Sequence, residues 1–377
     1  MVKKLCVFPN DPIKAYYEKG EIKERYYNPN NFFEEIHMIS FIEKDIDESK
    51  VQILAGNAKL KIYSVGKINL KNRIKHKEKI KTLVKSINPS IIRAYNPLIQ
   101  GWFAALCSDE LKIPFYLSLH INHDGMRKMY KKNNFKKFLS VKYTEKFIEP
   151  YVLKNATKIT IVYKIIEPYV IKHARKKPEL LYNKIDYNRF QDAQPMGSLR
   201  KPLIISVGRL TEQKNHQCLI KAMKEINANL LIIGNGEMYD ELNLLIKKIK
   251  VENKVTIKKS VPNLEIQKYY KSADVFALAY DPKLEGLPIP VIEGMASGLP
   301  IVIPYLVEGF SDGLEKVALF ANCIPSSFAF NINKILNDSN LHRDLSKKSL
   351  LKAKDFDKTI IEKREAQIYS ELLISLR

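Results

Sequence analysis

Short apolar runs alternate along this chain with longer stretches whose apolar positions recur at helical spacing. In the first half, Leu5–Phe8, Glu35–Ile39, Val51–Leu54, Ser90–Arg93, Phe115–Leu119 and Lys158–Val162 read as strands. In the second half, Leu203–Val207 (LIISV) ends at Gly208, and a helical pattern covers His216 to Ile226. Leu230–Ile233 (LLII) ends at Gly234 and precedes a helical stretch through Lys250; Val255–Ile257, Val275–Leu278 and Ile301–Ile303 are further short strands. Strand–helix alternation of this kind predicts an α/β chain with two Rossmann-like, doubly wound parallel sheets in tandem. The stretch KIDYNRFQDAQPMGSLRKP is polar and broken by Pro195, Gly197 and Pro202, so it reads as the connection. The expected boundaries are 1–190 for a first domain, 191–202 for a linker, 203–354 for a second domain, and 355–377 for a last helix. That helix has Ala366, Tyr369, Leu372 and Leu373 at helical spacing and is expected to pack back on the first domain.

A length of 377 residues with 45% hydrophobic content supports two such domains. The apolar stretch Leu5–Phe8 is too short for a signal-peptide core, and no apolar run approaches a membrane span. Cys6, Cys107, Cys218 and Cys323 show no metal or redox spacing, as expected for thiols in a reducing compartment. The expected location is therefore cytoplasmic. Charge changes the picture further: residues 1–190 carry 37 Lys+Arg against 19 Asp+Glu, whereas residues 191–377 carry 26 against 22. The basic half suggests an anionic partner, lipid surface or nucleic acid, with a compositional lysine bias as the alternative. Between Met126 and Lys154, nine basic residues interleave with Phe135, Phe138, Tyr143, Phe147 and Tyr151, opposed only by Glu145 and Glu149. Such a stretch suits docking on anionic headgroups at the inner membrane face, or a packed helix pair with a solvated lysine face.

The candidate chemistry lies mainly in the second half. Glu285 and Glu293 stand eight positions apart around GLPIPVI, and two separated carboxylates can grip two sets of hydroxyls on one extended polar ligand. The alternative is a surface acid and a helix-start acid favoured by the macrodipole. Gly208 ends a strand and is followed by Arg209 and Lys214, two cations around a turn into a helix, where a diphosphate can be held. Gly234-Asn235-Gly236 follows the next strand and would let backbone approach a ligand. No GxxxxGK[ST] occurs, which excludes that type of phosphate-binding loop. Asp45-Ile46-Asp47 imitates a metal-binding DxD but sits in the acidic stretch EKDIDES, and a solvated surface is the preferred reading. His120, His123 and Asp124 are metal ligands by residue type, without a further ligand set at recognisable spacing.

Taken in order, ISVGRLTEQKNHQCLIKAM, LLIIGNGE, KKSVPNLEIQKYYKSADVFALA and LEGLPIPVIEGMASGLPIVI resemble the nucleotide-sugar domain of glycosyltransferase family 4. The likeness is dense over Leu203–Ile303 and weaker through YLSLHIN and LLYNKIDYNRF. It implies the GT-B fold, two Rossmann-like domains facing a central cleft, and a retaining, metal-independent transfer of a hexose-type sugar from a nucleotide diphosphate sugar. The implied acceptor is lipid-linked or a polysaccharide precursor; the co-substrate takes the place of a cofactor. By resemblance, Arg209 and Lys214 hold the donor diphosphate, Glu285 the transferred sugar and Glu293 the ribose hydroxyls. Gly208, Gly234 and the loop Gly286, Leu287 and Pro288 adjoin the donor, the backbone at Val261 and Pro262 lines the base pocket, and His120 faces the sugar. The chain departs from the family where EGFG is common, having Glu285-Gly286-Leu287-Pro288, and Pro288 removes one backbone N–H. It also lacks the glycine-rich acceptor loop: YEKGEIKERYYNP stands there, with Gly20, Arg25, Tyr26 and Tyr27 as acceptor candidates. Two other readings compete, a noncatalytic nucleic-acid-binding protein using the basic half, which no nucleic-acid-binding motif supports, and a GT-B sugar-nucleotide epimerase.

Overall fold

Strands buried on both faces need nearly continuous apolar sequence, and KLCVF and LIISV are of that kind. The computed structural model describes residues 2–374 and divides into two units, one formed by the chain up to Tyr182 together with the chain from Ile361 onward, the other by Asn183–Ile360. The first unit has a seven-stranded sheet of β1 (Lys4–Phe8), β2 (Glu35–Ser40), β3 (Lys59–Ser64), β4 (Ile91–Ala94), β5 (Phe115–Leu119), β6 (Lys158–Ile161) and β7 (Glu179–Leu180), in the order β3-β2-β1-β4-β5-β6-β7. The second has six strands, β8 (Leu203–Val207), β9 (Asn229–Ile233), β10 (Val255–Lys258), β11 (Val275–Ala277), β12 (Ile301–Pro304) and β13 (Ala318–Ala321), in the order β10-β9-β8-β11-β12-β13. Every pairing among these strands is parallel, for example Leu5 with Ile36 and Ile91, and Ile204 with Leu230 and Val275. The order reverses between β1 and β4 and between β8 and β11, which opens a crevice at the strands' carboxyl ends in each unit.

Several expected elements differ. Val51–Leu54 is no strand: Gln52–Ala55 forms a 3₁₀ turn that buries Leu54 and Ala55 and stops at Gly56 with φ +57°. Four apolar residues in a row do not separate a strand from one helical turn by periodicity. The strand is instead KLKIYS, whose lysines suit its place at the sheet edge. The two-residue β7 and the edge strand β13 also escape the pattern. The helix starting at His216 ends at Ala222, short of Ile226.

The expected linker 191–202 falls within the second unit, whose chain begins at Asn183. Polar contacts hold down this stretch and the residues just before it: Arg189 donates to Gln267 Oε1 at 3.0 Å and to the Asn263 carbonyl, and the Met196 N–H reaches Ser272 Oγ at 2.7 Å. The last helix spans Lys358–Ile374 rather than starting at 355, and its Ile361, Ile368, Tyr369 and Leu372 share a core with Leu5, Val7, Tyr27, Ile91 and Tyr116. A separate core in the second unit gathers Ile204, Leu219, Leu230, Val275, Val302 and Phe328.

Candidate active site

In the second unit the reversal point gathers charge. The turn after β8 lies against the turn after β9, with the Leu210 N–H on the Asn235 carbonyl at 2.9 Å. A Cβ on Gly234 would stand 1.9 Å from the Gly208 carbonyl oxygen, so glycine is needed there for backbone to meet backbone. Close approach at Gly234 thus serves the two turns themselves. The chain then tightens into a 3₁₀ turn, Glu212–Lys214, and the helix begins only at the buried His216. The loop after β11 is tied to this turn by the Asp281 N–H on the Gln213 carbonyl at 2.9 Å. Through that tie the buried Lys214 ammonium meets Glu285 Oε2 at 2.5 Å, although the residues are 71 apart in sequence. Arg209, in the turn after β8, stands exposed, with no ion pair among the described residues. An ammonium has three donors, so Lys214 can hold Glu285 and an anionic oxygen together.

Glu293 is the fifth residue of the helix Ile289–Ala296, whose first turn holds no acid. The helix-start explanation for this carboxylate therefore fails. Its Oε2 accepts from the Tyr270 hydroxyl at 2.9 Å, and burial followed by the Glu293 charge pushes the Tyr270 phenol well above its usual range. Burial holds the Arg189 guanidinium below its usual value, and Glu293 is the first of the charges that oppose this. Arg189 also grips the Asn263–Gln267 segment, next to Val261 and Pro262. Sequence reasoning misses both partners: Arg189 sits in a stretch that reads as linker, and Tyr270 is one neutral residue within KYYKS. The i−23 reach from Glu293 to Tyr270 leaves no periodic signal.

The departing loop is largely internal. The Gly286 carbonyl accepts from Tyr280 Oη at 2.7 Å, Leu287 is fully buried, and Pro288 is the residue before the helix. At that position an amide has no intrahelical acceptor, so the N–H that Pro288 lacks costs the helix nothing. His216 lies under the Gly208–Arg209 turn with Nδ1 3.3 Å from Ser206 Oγ; burial, then Lys214, lowers its pKa to about 4.

In the first unit, His120 follows β5 and its carbonyl accepts from Tyr163 Oη at 2.6 Å. Its ring lies 5.7 Å from that of Tyr95, and burial, then the Arg93 charge, lowers its pKa to about 4. The imidazole is thus neutral near pH 7 and able to donate or accept one hydrogen bond at each nitrogen. Tyr26 stacks on Tyr95 at 6.1 Å and so belongs to the same aromatic group. The other acceptor candidates are occupied differently. Arg25 Nε pairs with Glu362 at 3.3 Å, Tyr27 is in the core, and Gly20 supplies the positive φ of +68° after the helix Ile13–Glu18.

The DxD imitation is structural: Asp45 accepts from the Ile13 and Lys14 N–H groups at 2.9 and 2.6 Å, and Asp47 accepts from the Ser49 N–H at 2.9 Å. His123 turns its ring to Tyr169, and Asp124 pairs with Arg127. Among the described residues, Asp124, Glu145 and His173 have ligand atoms within 4.8 Å of one another, but Lys172 already bridges the two carboxylates at 3.3 and 3.5 Å. A groove of about 630 Å³ lined by Tyr187, His342, Arg343, Lys347 and Lys354 contains none of the predicted site residues.

Residues 189–351 match the family model of glycosyl transferases group 1. Over 192 residues the chain is 32% identical to the N-acetylgalactosamine-N,N'-diacetylbacillosaminyl-diphospho-undecaprenol 4-alpha-N-acetylgalactosaminyltransferase of Campylobacter jejuni, a match covering 49% of this chain and 52% of that protein. The chain therefore spans about half the length of this curated relative. Among solved structures, Anabaena Alr3699/HepE in complex with UDP superposes with a TM-score of 0.74 at 15% identity, covering 98% of this chain and 100% of that one. Sucrose-phosphate synthase from Thermosynechococcus elongatus gives 0.72 at 16% identity, with 99% and 100% covered. The fold is that of the GT-B glycosyltransferases, two Rossmann-like halves with parallel sheets.

Proposed function

We propose that this chain, whose residues 189–351 match glycosyl transferases group 1, is a glycosyltransferase of glycan or cell-envelope biosynthesis that takes its sugar from a nucleotide diphosphate sugar. The observation that carries the reading is the meeting of Lys214 and Glu285 beyond the carboxyl ends of β8 and β11, with Arg209 exposed two residues after β8. Arg209 and Lys214 bind the diphosphate, Glu285 the hydroxyls of a hexose-type sugar, and Glu293 the ribose. Departure of the diphosphate leaves positive charge on the anomeric carbon and negative charge on phosphate, and the two cations stabilise the latter. The reaction retains configuration: the leaving phosphate oxygen takes the proton of the incoming hydroxyl on the face it departs from. No metal is called for in this scheme. His120 is assigned the part of a neutral hydrogen-bonding partner of the sugar, consistent with its lowered pKa.

The acceptor in this reading is a lipid-linked or polysaccharide precursor presented at the cytoplasmic membrane face. Support comes from the Campylobacter relative, whose name describes a transferase acting on a diphospho-undecaprenol-linked sugar. A thermal-shift panel of nucleotide diphosphate sugars tests the donor site without knowledge of the acceptor. At least one is expected to protect the protein, and Glu293→Ala to weaken that protection tenfold or more, roughly 1.4 kcal/mol. Absence of protection together with steep salt-dependent oligonucleotide binding would overturn the enzyme reading in favour of a nucleic-acid-binding protein. Conversion of the donor to an isomer without any acceptor would replace transfer by epimerisation.

A further inference from the structure

The helix Phe135–Phe147 bears apolar side chains on two opposite faces. Toward the unit it turns the buried Thr144 and the partly buried Phe138, Val141 and Glu145. Away from it stand Phe135, Leu139, Tyr143 and Phe147, between 40% and 65% exposed. Steps of four residues drift by only about 40° on a 3.6-residue helix, so these four form one stripe roughly opposite the packed face. A helix that only covers a core needs a single apolar stripe, and isolated exposed aliphatics are ordinary; a row of four is neither.

The surroundings of the stripe are basic. Lys131, Lys132, Lys136, Lys137, Lys142 and Lys146 are all exposed, whereas the one acid of the helix, Glu145, is turned inward to Arg127, Lys142 and Lys172 at 3.5, 2.6 and 3.5 Å. The stripe also continues beyond its own helix. Arg73 donates to Tyr143 Oη at 3.1 Å and lies over the Trp102 and Tyr143 rings at 5.5 and 5.7 Å. Arg73 thereby brings the turn Arg73–His76, with exposed Ile74 and Lys75, alongside.

We propose that the outer face of the helix Phe135–Phe147, with the Arg73–His76 turn beside it, docks on the anionic headgroups of a lipid bilayer. Phe135, Leu139, Tyr143 and Phe147 enter the headgroup layer while the lysines on either side meet the lipid phosphates. Apolar insertion and charge attraction then act on one surface. A second copy of this chain is a poor occupant, because a two-fold contact would set lysine rows against lysine rows. The inference rests on the membrane part of the function proposed above and is independent of the donor chemistry.

Flotation of the full chain with vesicles tests it, using phosphatidylcholine alone and phosphatidylcholine mixed with phosphatidylglycerol. Binding is expected to the mixed vesicles only, and to fall with salt. The exposed triple variant F135S/L139S/F147S is expected to lose flotation. K132Q/K136Q is expected to weaken binding roughly twenty-five-fold, taking about fivefold for each lysine. Both variants should keep the parent's unfolding temperature and its protection by nucleotide diphosphate sugar, which separates loss of docking from loss of the fold. Equal binding to both vesicle types, or full flotation of the triple variant, overturns the inference. So does a self-associated parent that the triple variant converts to monomer with flotation unchanged. Lost docking with intact donor protection would leave the donor reading standing, and the reverse pattern would leave the docking surface standing.

Discussion

Two residues past the carboxyl end of β8, Arg209 stands in solvent, whereas on β4, beside the reversal point of the other sheet, Arg93 is almost wholly enclosed. The Arg93 guanidinium pairs with Glu365 at 2.5 Å, donates to Ser118 Oγ at 3.1 Å and to Tyr369 Oη, and lies over the Tyr95 and Tyr116 rings at 4.5 and 4.6 Å. Both units have the same strand order up to the last strand of each sheet, yet in one the arginine has no ion pair among the described residues and in the other it is consumed in packing. Topology supplies the crevice; the neighbours of each charge decide whether it can serve chemistry.

The largest expected effect lies on the enclosed side. Glu365→Ala would strand a buried guanidinium and should cost about 3–5 kcal/mol. Arg209→Ala, removing an exposed side chain, should change stability by less than about 0.5 kcal/mol. Trp102 is the sole tryptophan and belongs to the first unit, so its fluorescence in urea reports the unit that Glu365→Ala weakens. Equal stability losses in the two variants would erase the contrast.

The next effect is a pH dependence. His216 has a folded pKa of about 4 against about 6.5 in an unfolded chain. Between these values the unfolded chain binds the proton and the folded one does not, so stability is full above about pH 6.5 and falls as the pH drops toward 4. The loss contributed by this one group is about 3 kcal/mol. Histidine ring resonances from ¹³C-labelled protein check the cause: His216 should not titrate above about pH 5, and Lys214→Met should raise its midpoint, because Lys214 is the second source of the depression after burial. His120 sharpens the comparison, since Arg93 plays toward it the part that Lys214 plays toward His216.

The two sides differ equally in how they could be read from sequence. Arg209 and Lys214 lie within seven residues of the end of β8, and Glu285 and Glu293 share one ordered stretch, so the charged end of the second unit is legible locally. The enclosed group draws on Tyr26, Arg93, Tyr95, Tyr116, Glu365 and Tyr369, which come from opposite ends of the chain and have no spacing to betray them. The same reason hides the true occupations of Arg25 and Tyr27, which stand where the glycine-rich acceptor loop is missing but are used by Glu362 and the core. Strands read well where both faces are buried. They fail at KLKIYS and at Val51–Leu54, where an edge strand carries lysines and a turn carries aliphatics.

The smallest effect bears on Glu293. A carboxylate has about four acceptor sites, and the Tyr270 hydroxyl takes one of them. If Glu293 binds ribose hydroxyls, Tyr270→Phe should lower donor affinity by less than about threefold, since the carboxylate itself is kept, while stability falls by about 1.5–3 kcal/mol for a hydrogen bond to a charged acceptor. The donor found in the panel and its deoxyribose analogue, titrated against Tyr270→Phe and Glu293→Ala, separate orientation from contact. Glu293→Ala should abolish the preference for ribose, whereas Tyr270→Phe should keep it. If Tyr270→Phe also abolishes it, the hydroxyl of Tyr270 is the ribose contact and the carboxylate only holds it in place, which would make the second unit's site, like the first unit's aromatic group, an arrangement in which the charge serves a tyrosine.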